Sequence, residues 1–333
     1  MRTTSPDHTV DELCKLFGKT RQAYYQLQNY HYKEAICSEV LVKKVLRIRS
    51  QMPRIGGRKL YEKIFPSLPN ELQIGRDAFF NVLRYNNLLV RRKRTRAITT
   101  MSNHWLRKYP NLIREYEPTA PHQLWVSDIT YVDTTEGFVY LSLITDAYSR
   151  KIVGWHIGES LETVHTLEAL KMAIRQLPKG KRHNLIHHSD RGVQYCSYRY
   201  TKKLKRRKIK ISMTENGDPL ENAIAERVNG ILKTEWLYDI TVKDKQHAKR
   251  EIKRIIHLYN YERPHLSIEM LTPDQAHNLN GELLRCWKNY YRTRKYDDEQ
   301  EYEYKVMTST VPVKTVTSGL PQAQHSPVLT GTS

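Results

Sequence analysis

The chain is short of cysteine, short of acidic residues and without any long apolar run, and each shortage removes a class of protein. Cys14, Cys37, Cys196 and Cys286 are scattered over 333 residues and form no CxxC pair. Such a set is too sparse for a disulfide framework. His8, Cys14, His31 and Cys37 lie at spacings that match no common zinc-ligand pattern. The expected compartment is reducing and intracellular. No stretch approaches the roughly 18 apolar residues of a membrane span. The N-terminus, MRTTSPDHTV, is polar where a signal peptide would be apolar. A secreted or membrane protein is not expected on these grounds, and no sustained heptad pattern marks a coiled-coil zipper.

The deficit of acids is the strongest compositional signal. Lys and Arg number 55 against 35 Asp and Glu, a formal charge of +20. A chain this basic is expected to meet a polyanion. The charge is uneven: residues 1–117 hold 23 basic and 10 acidic side chains, a net +13, which leaves +7 for the other 216 residues. The first third is the better candidate for contacting phosphates.

Periodicity divides the chain into six segments. Residues 1–30 read as a helix-turn-helix-like unit. Val10, Leu13, Leu16 and Phe17 share one helical face, Gly18 breaks the helix, and Thr20 caps a second one bearing Arg21, Tyr24 and Tyr25. Residues 34–94 read as a second helical unit. An amphipathic helix begins near residue 34, a Gly56-Gly57 pair opens a helix carrying Arg58 and Lys59, and a last helix ends beside Arg91, Arg92, Lys93 and Arg94. Arg21, Arg58, Lys59 and Arg91–Arg94 are the candidate phosphate contacts. Residues 95–121 lack periodicity and read as a linker. Residues 122–240 then supply three sequential strands, a helix, a strand, a helix, a strand and a long helix. This order predicts an α/β domain on a five-stranded mixed sheet flanked by helices. Residues 241–296 read as a helical extension, and the Ser/Thr/Pro-rich residues 297–333 are expected to be disordered.

Three acids stand where acids are awkward. Asp128 lies mid-strand on the face of Val126 and Val132. Asp190 ends the fourth strand before Arg191-Gly192, the kind of strand end at which α/β folds bind ligands. Glu226 interrupts an apolar helix. Clustered carboxylates repel one another unless a cation lies between them, and Mg²⁺ favours oxygen ligands. A pair of such ions would fit phosphoryl transfer. Any single acid is weak evidence, since Asp133, Asp146 and Glu221 are equally acidic. The order strand, strand end, helix is more specific. On the last helix Asn222, Glu226, Asn229 and Lys233 share one side, a polar stripe expected to face metal and DNA, while Ile224, Ile231 and Leu232 face elsewhere.

The stretches WVSDITYV (125–132), TDAYSRKIVGW (145–155), HHSDRGVQY (187–195), ENAIAERVNGILKTEW (221–236) and YNYERPHLSIEMLTP (259–273) together resemble the DDE transposases with a retroviral-integrase-type core. The resemblance is greatest to the larger reading-frame product of the insertion-sequence-three family. It covers roughly residues 120–275, and the helices of 34–94 also look like that family's second DNA-binding region. It implies an RNase-H-like fold and a catalytic, metal-holding triad of Asp128, Asp190 and Glu226. It also implies Mg²⁺ as cofactor, as two ions that Mn²⁺ can replace. Lys233 matches the family's basic residue two turns beyond the Glu, and Asn229 is taken with it as a DNA contact. Asn260, Arg263, Pro264 and His265 match a post-catalytic motif whose role is structural or DNA-contacting. The lead-in GDPLEN departs from the family's pattern, which puts that loop in doubt but not the Glu. The implied partners are double-stranded transposon-end and target DNA and, for synapsis, at least a second copy of the chain. The implied setting is the cytoplasm and nucleoid of a bacterium. A fragment of residues 1–117 is expected to bind terminal repeats by itself. Two other readings stay open: a catalytically inactive or domesticated DNA-binding regulator, and a general RNase-H-like nuclease.

Overall fold

The computed structural model describes residues 9–90, 105–114, 116–178, 184–215 and 222–283, all within one compact unit, Met1–Cys286. Arg91–Arg94 and the tail 297–333 lie outside the described residues. Helix α1, Val10–Leu16, starts in a capping box in which Thr9 accepts from the Glu12 amide and Glu12 accepts in return. It stops at Gly18, whose φ of +62° suits a residue without Cβ. Thr20 then caps α2, Arg21–Arg49, by accepting from the Ala23 amide at 3.0 Å.

Here the structure corrects the division of the first 94 residues. Helix α2 runs unbroken for 29 residues through the boundary placed between 30 and 34. No glycine or proline interrupts the sequence between Lys19 and Pro53, so nothing ends the helix where the apolar pattern begins. Its first half is exposed, with Leu27, Tyr30 and Tyr32 facing solvent. Its second half buries Cys37, Leu41 and Val45 against α3, Gly57–Ile64, and α4, Arg76–Tyr85.

The second module is a five-stranded sheet, as the strand pattern predicted. Strands β1 (Leu124–Thr134), β2 (Gly137–Asp146) and β3 (Ile152–Gly158) form an antiparallel meander. Strands β4 (Ile186–Ser189) and β5 (Lys210–Met213) add in parallel on the other side of β1, giving the order β3-β2-β1-β4-β5. Helix α5 (Thr163–Arg175), the short α6 (Val193–Cys196) and α7 (Tyr198–Arg206) cover one face around Trp125, Ile144, Val153 and Leu170. The fit over β3 is close: a Cβ on Gly154 would stand 2.3 Å from the Ala169 carbonyl oxygen of α5. Helix α8 (Ala223–Glu235) and α9 (Lys245–Tyr261) cover the other face, and a single turn, α10 (Pro273–Ala276), follows α9.

Two further expectations change. The segment 105–114 is not a free linker. It lies against β5, with the Met213 amide donating to the Pro110 carbonyl at 3.3 Å and the Leu112 amide to Ser212 Oγ at 2.9 Å. Nor is residues 1–117 a self-contained module. Leu41, Val45, Ile55, Leu60 and Leu83 belong to the same apolar core as Trp236, Ile252 and Ile255, so the isolated fragment would expose that surface to water.

Candidate active site

The parallel pairing of β1 with β4 brings two of the three acids together. Ser127 is the register partner of Ser189, so Asp128 on β1 and Asp190, just past the end of β4, each follow one residue later. Helix α8 lies along β1, with Asn222 and Asn229 of its polar stripe buried, Lys233 half-buried and Glu226 exposed. Asn222 donates to the Ser127 carbonyl at 3.2 Å, Asn229 donates to Asp128 Oδ2 at 2.8 Å, and the Lys233 ammonium sits 3.6 Å from the centre of the Tyr131 ring. Glu226 lies on this stripe between Asn222 and Asn229.

The electrostatics follow from that crowding. Asp128 is half-buried, and its carboxyl is pushed up to about 7, first by burial, then by Asp190 and, more weakly, by Glu226. Asn229 and the Ile129 amide, both donors to the carboxylate, hold it from rising further. Glu226 is raised by burial and by Asp190. Asp190 is therefore the acid that both others feel. Its Oδ1 accepts from the Gly192 amide at 3.0 Å, which fixes the carboxylate at the turn into α6. Among the described residues no three acidic, imidazole or thiol side chains are drawn into a closed metal-holding group. The donor set nevertheless suits a hard cation, because all three groups offer oxygens and Asp128 and Glu226 are each harder to ionise for the presence of Asp190.

Beneath the acids lies a buried hydrogen-bonded layer. His187 Nε2 is 2.7 Å from Ser127 Oγ and 2.9 Å from the Tyr200 hydroxyl, and His188 Nδ1 is 2.9 Å from Ser212 Oγ. Burial pushes His187 down to about 3, so it is neutral and fixes strand positions rather than moving protons. The Tyr195 hydroxyl is buried, with its pKa raised by burial and by nearby groups that include Asp190 and Asp128. Asn222 belongs to the polar stripe that helical spacing marks in the sequence. Tyr195 carries no signal without the fold.

Two family profiles, both described as integrase core domain, match residues 118–219 and 207–273. The uncharacterized 31 kDa protein of insertion element IS600 from Shigella sonnei is 36% identical over 267 residues, 78% of this chain and 96% of that protein. The transposase for insertion sequence element IS629, also from Shigella sonnei, is 30% identical across 76% of this chain and 86% of its own. Transposase InsF for insertion sequence IS3A, from Escherichia coli K12, is 32% identical across 60% and 69% respectively. The chain belongs to the IS3 family of DDE transposases.

In this transposase Asp146, one of the equally acidic residues, has a structural use. Asp146 is fully buried and accepts from the amides of His122, Tyr148 and Ser149, which makes it a turn-forming residue. Asp133 is exposed at the far end of β1 and Glu221 lies outside the described residues. Two candidate DNA contacts are corrected. Asn229 is buried and already bound to Asp128, so it positions the acid. Lys59 is buried at the start of α3, with its ammonium 3.1 Å from Glu235 Oε1 at the end of α8. Glu235 also receives a two-pronged contact from Arg263, with Nε and Nη2 each at 2.7 Å. Lys59 thus joins α3 to the end of α8. The open question about the post-catalytic motif is answered the same way. Arg263 completes this buried triad, and Asn260 brackets β3 by accepting from the Ile152 amide at 2.9 Å and donating to its carbonyl at 3.0 Å. Arg21 and Arg58 remain exposed on α2 and α3.

Lys233 is half-buried, with its ammonium over the Tyr131 ring. Burial lowers its pKa, while Asp133 and Asp128 attract its charge. It lies two turns beyond Glu226, so it rises about 10.5 Å along the axis and returns to nearly the same face. A charged contact from here to DNA is worth about 1.5–3 kcal/mol. Lys233→Ala is expected to slow cleavage and joining by about 10- to 100-fold without shifting the melting midpoint. Single-turnover cleavage of a pre-assembled end complex measures this, and a rate within twofold of wild type would leave Lys233 as a partner of Tyr131 only.

Proposed function

We propose that this transposase binds the terminal inverted repeats of its element, cuts DNA at the element's 3′ ends and joins the freed ends to a target, through Asp128, Asp190 and Glu226. The observation that carries the reading is the placement of Asp128 and Asp190 side by side, on β1 and just past the end of β4, under a helix that brings Glu226 to the same face, with the proton affinities of Asp128 and Glu226 raised. These three carboxylates would hold Mg²⁺, as two ions or with Mn²⁺ in its place. Bound there, the metal would activate a water or 3′-hydroxyl and stabilise the leaving oxygen of a phosphodiester. Asn229 orients the Asp128 carboxylate, the Gly192 amide orients Asp190, and Lys233 supplies a cation beside them.

Repeat binding is assigned to the N-terminal helices, with Arg21 and Arg58 among the phosphate contacts and Arg91–Arg94 following α4. Synapsis requires a second copy of the chain. The exposed Leu27 and Tyr30, three residues apart on the first half of α2, offer an apolar strip that such a copy would cover. The setting is the bacterial cytoplasm and nucleoid.

The test is cleavage of two substrates by the full chain: a duplex carrying the element's terminal repeat, and an RNA–DNA hybrid of unrelated sequence. Nicking at the repeat boundary that needs Mg²⁺ and stops with chelator is expected. Cleavage of the hybrid in preference would make the protein a general nuclease, and repeat binding without cleavage would make it a regulator.

A further inference from the structure

The function proposed above leaves the most basic element of the catalytic module without a role. Between Asp190 and Glu215 there is no acidic residue, and eight of the thirteen residues from Tyr198 to Lys210 are Lys or Arg. Helix α7 buries Tyr200, Thr201 and Leu204 against the sheet. Its other side exposes Arg199, Lys202, Lys205 and Arg206 at helical spacing, and Arg207 and Lys208 continue the exposed run. Among the described residues none of these cations is in an ion pair with an acid. Several rest on aromatic rings instead. The Lys202 ammonium lies 5.0 Å from the centre of Tyr198, while Lys205 and Arg107 approach the Tyr109 ring at 5.5 Å and 5.3 Å. Such stacking restrains the long side chains without neutralising them. The charges are thus held close together at a repulsive cost that a polyanion would relieve.

Topology ties this face to the acids. Strands β4 and β5 are parallel neighbours, and α7 lies in the crossover between them, so it runs opposite to both. Its first turn therefore lies at the end of the sheet where Asp190 sits, and its last turn at the other end. At 1.5 Å per residue its nine residues span about 13 Å, the length of roughly four base pairs of duplex.

We propose that the exposed face of α7, with Arg107 beside it, holds the target duplex during joining, by its phosphates and without reading its bases. The proposal rests on the transposase reading given above. The choice of target over transposon end follows from the side chains. Residues 198–210 contain no Asn or Gln to read adenine edges, and with Tyr200, Thr201 and Leu204 buried the helix lies flat on the sheet rather than entering a groove, so its Lys and Arg meet backbone phosphates instead of the guanine edges they could otherwise read. A phosphate-only surface suits a partner whose sequence changes at every insertion.

The test uses the full chain carrying K202A/K205A/R206A/R207A, four exposed positions whose loss should leave the melting midpoint unchanged, beside a charge-preserving K202R/K205R control. Three quantities are measured: affinity for an unrelated duplex across a salt series, Mg²⁺-dependent nicking of a terminal-repeat duplex, and joining of a pre-cut end into a plasmid. For the neutralised variant we expect at least tenfold weaker unrelated-duplex binding and a salt slope smaller by about 3–4. Joining should fall at least tenfold and nicking should stay within threefold of wild type. The control should behave as wild type. Equal losses of nicking and joining would overturn the proposal by making α7 a holder of the transposon end, and unchanged joining would overturn it by making α7 a solvated face. A wild-type protein that fails to nick its repeats would refute the transposase reading, and the duplex-binding arm would still report whether α7 is a DNA surface.

Discussion

Asp128→Asn, Asp190→Asn and Glu226→Gln are each expected to lower strand cleavage and joining by about three orders of magnitude or more, the equivalent of roughly 4 kcal/mol of lost transition-state stabilisation, while leaving terminal-repeat binding within a few fold. The separation follows from the structure. The acids share one face at the β1–β4 junction, whereas the charges assigned to repeat binding lie on α2 and α3. Any one of the three variants cleaving at near wild-type rate with Mg²⁺ would remove that residue from the triad.

The Asp128 variant carries a second expectation of opposite sign. Its carboxyl ordinarily titrates near 3.8 and in the folded chain near 7, mostly because burial penalises the charged form. Between those values the native state binds more protons than the unfolded state, so stability falls as pH rises through the window and stays low above it. The ceiling is about 4 kcal/mol at 1.36 kcal/mol per pH unit, and a half-buried group realises less. In chelator at pH 8, Asp128→Asn should therefore be more stable than wild type by about 1–3 kcal/mol, with the difference shrinking toward pH 4. Denaturant melts at the two pH values measure this. A wild-type-minus-variant difference that does not change with pH would mean that Asp128 is not strained by its charge.

The sheet was readable from sequence because its cues are local. The alternation of LWVSDITYV, the Glu136-Gly137 turn and the strand-end Asp190 each need only a few neighbouring residues. The stripe of 222, 226, 229 and 233 was equally readable, since helical periodicity alone puts those side chains on one face. What periodicity could not give was the use of each. Asn229 and Lys59 both looked like surface polar residues suited to DNA. One is spent on an acid 101 positions earlier and the other on an acid 176 positions later. The continuity of α2 was missed for a different reason. A change from polar to apolar periodicity marks where a helix begins to be buried, not where it begins. The segment 105–114 has no period because it follows the edge of β5 in irregular conformation, held by individual hydrogen bonds.

The largest stability effect is expected at Glu235, and it should be unequal among the three members of its triad. Lys59 and Arg263 contribute two positive charges and Glu235 a single negative one, all in a buried setting. Glu235 is held down at about 2, with Arg263 the largest favourable influence against the cost of burial, and Lys59 is pushed down to about 8 by burial and by Arg263. Removing Glu235 leaves two like charges facing each other out of water, whereas removing Lys59 leaves a balanced two-pronged pair. Glu235→Gln should cost about 3–5 kcal/mol and Lys59→Met no more than about 1 kcal/mol, because an isolated buried charge is far more costly than an apolar replacement of similar volume. The depressed Lys59 adds a pH signature: the folded state binds fewer protons than the unfolded one above pH 8, so wild-type stability should rise from about pH 8 toward 10.5, and this rise should be absent in Lys59→Met. Two neighbouring contacts also tie this region to the N-terminal helices, Trp236 Nε1 after α8 donating to the Gln51 carbonyl at 3.0 Å and Lys63 donating to the Glu262 carbonyl after α9 at 2.8 Å. Glu235→Gln should therefore also release α3 from the catalytic module, seen as faster amide exchange in α3 and in the last turn of α8 while β1 and β2 remain protected. Equal melting midpoints for Glu235→Gln and Lys59→Met would show that the triad is not governed by charge balance.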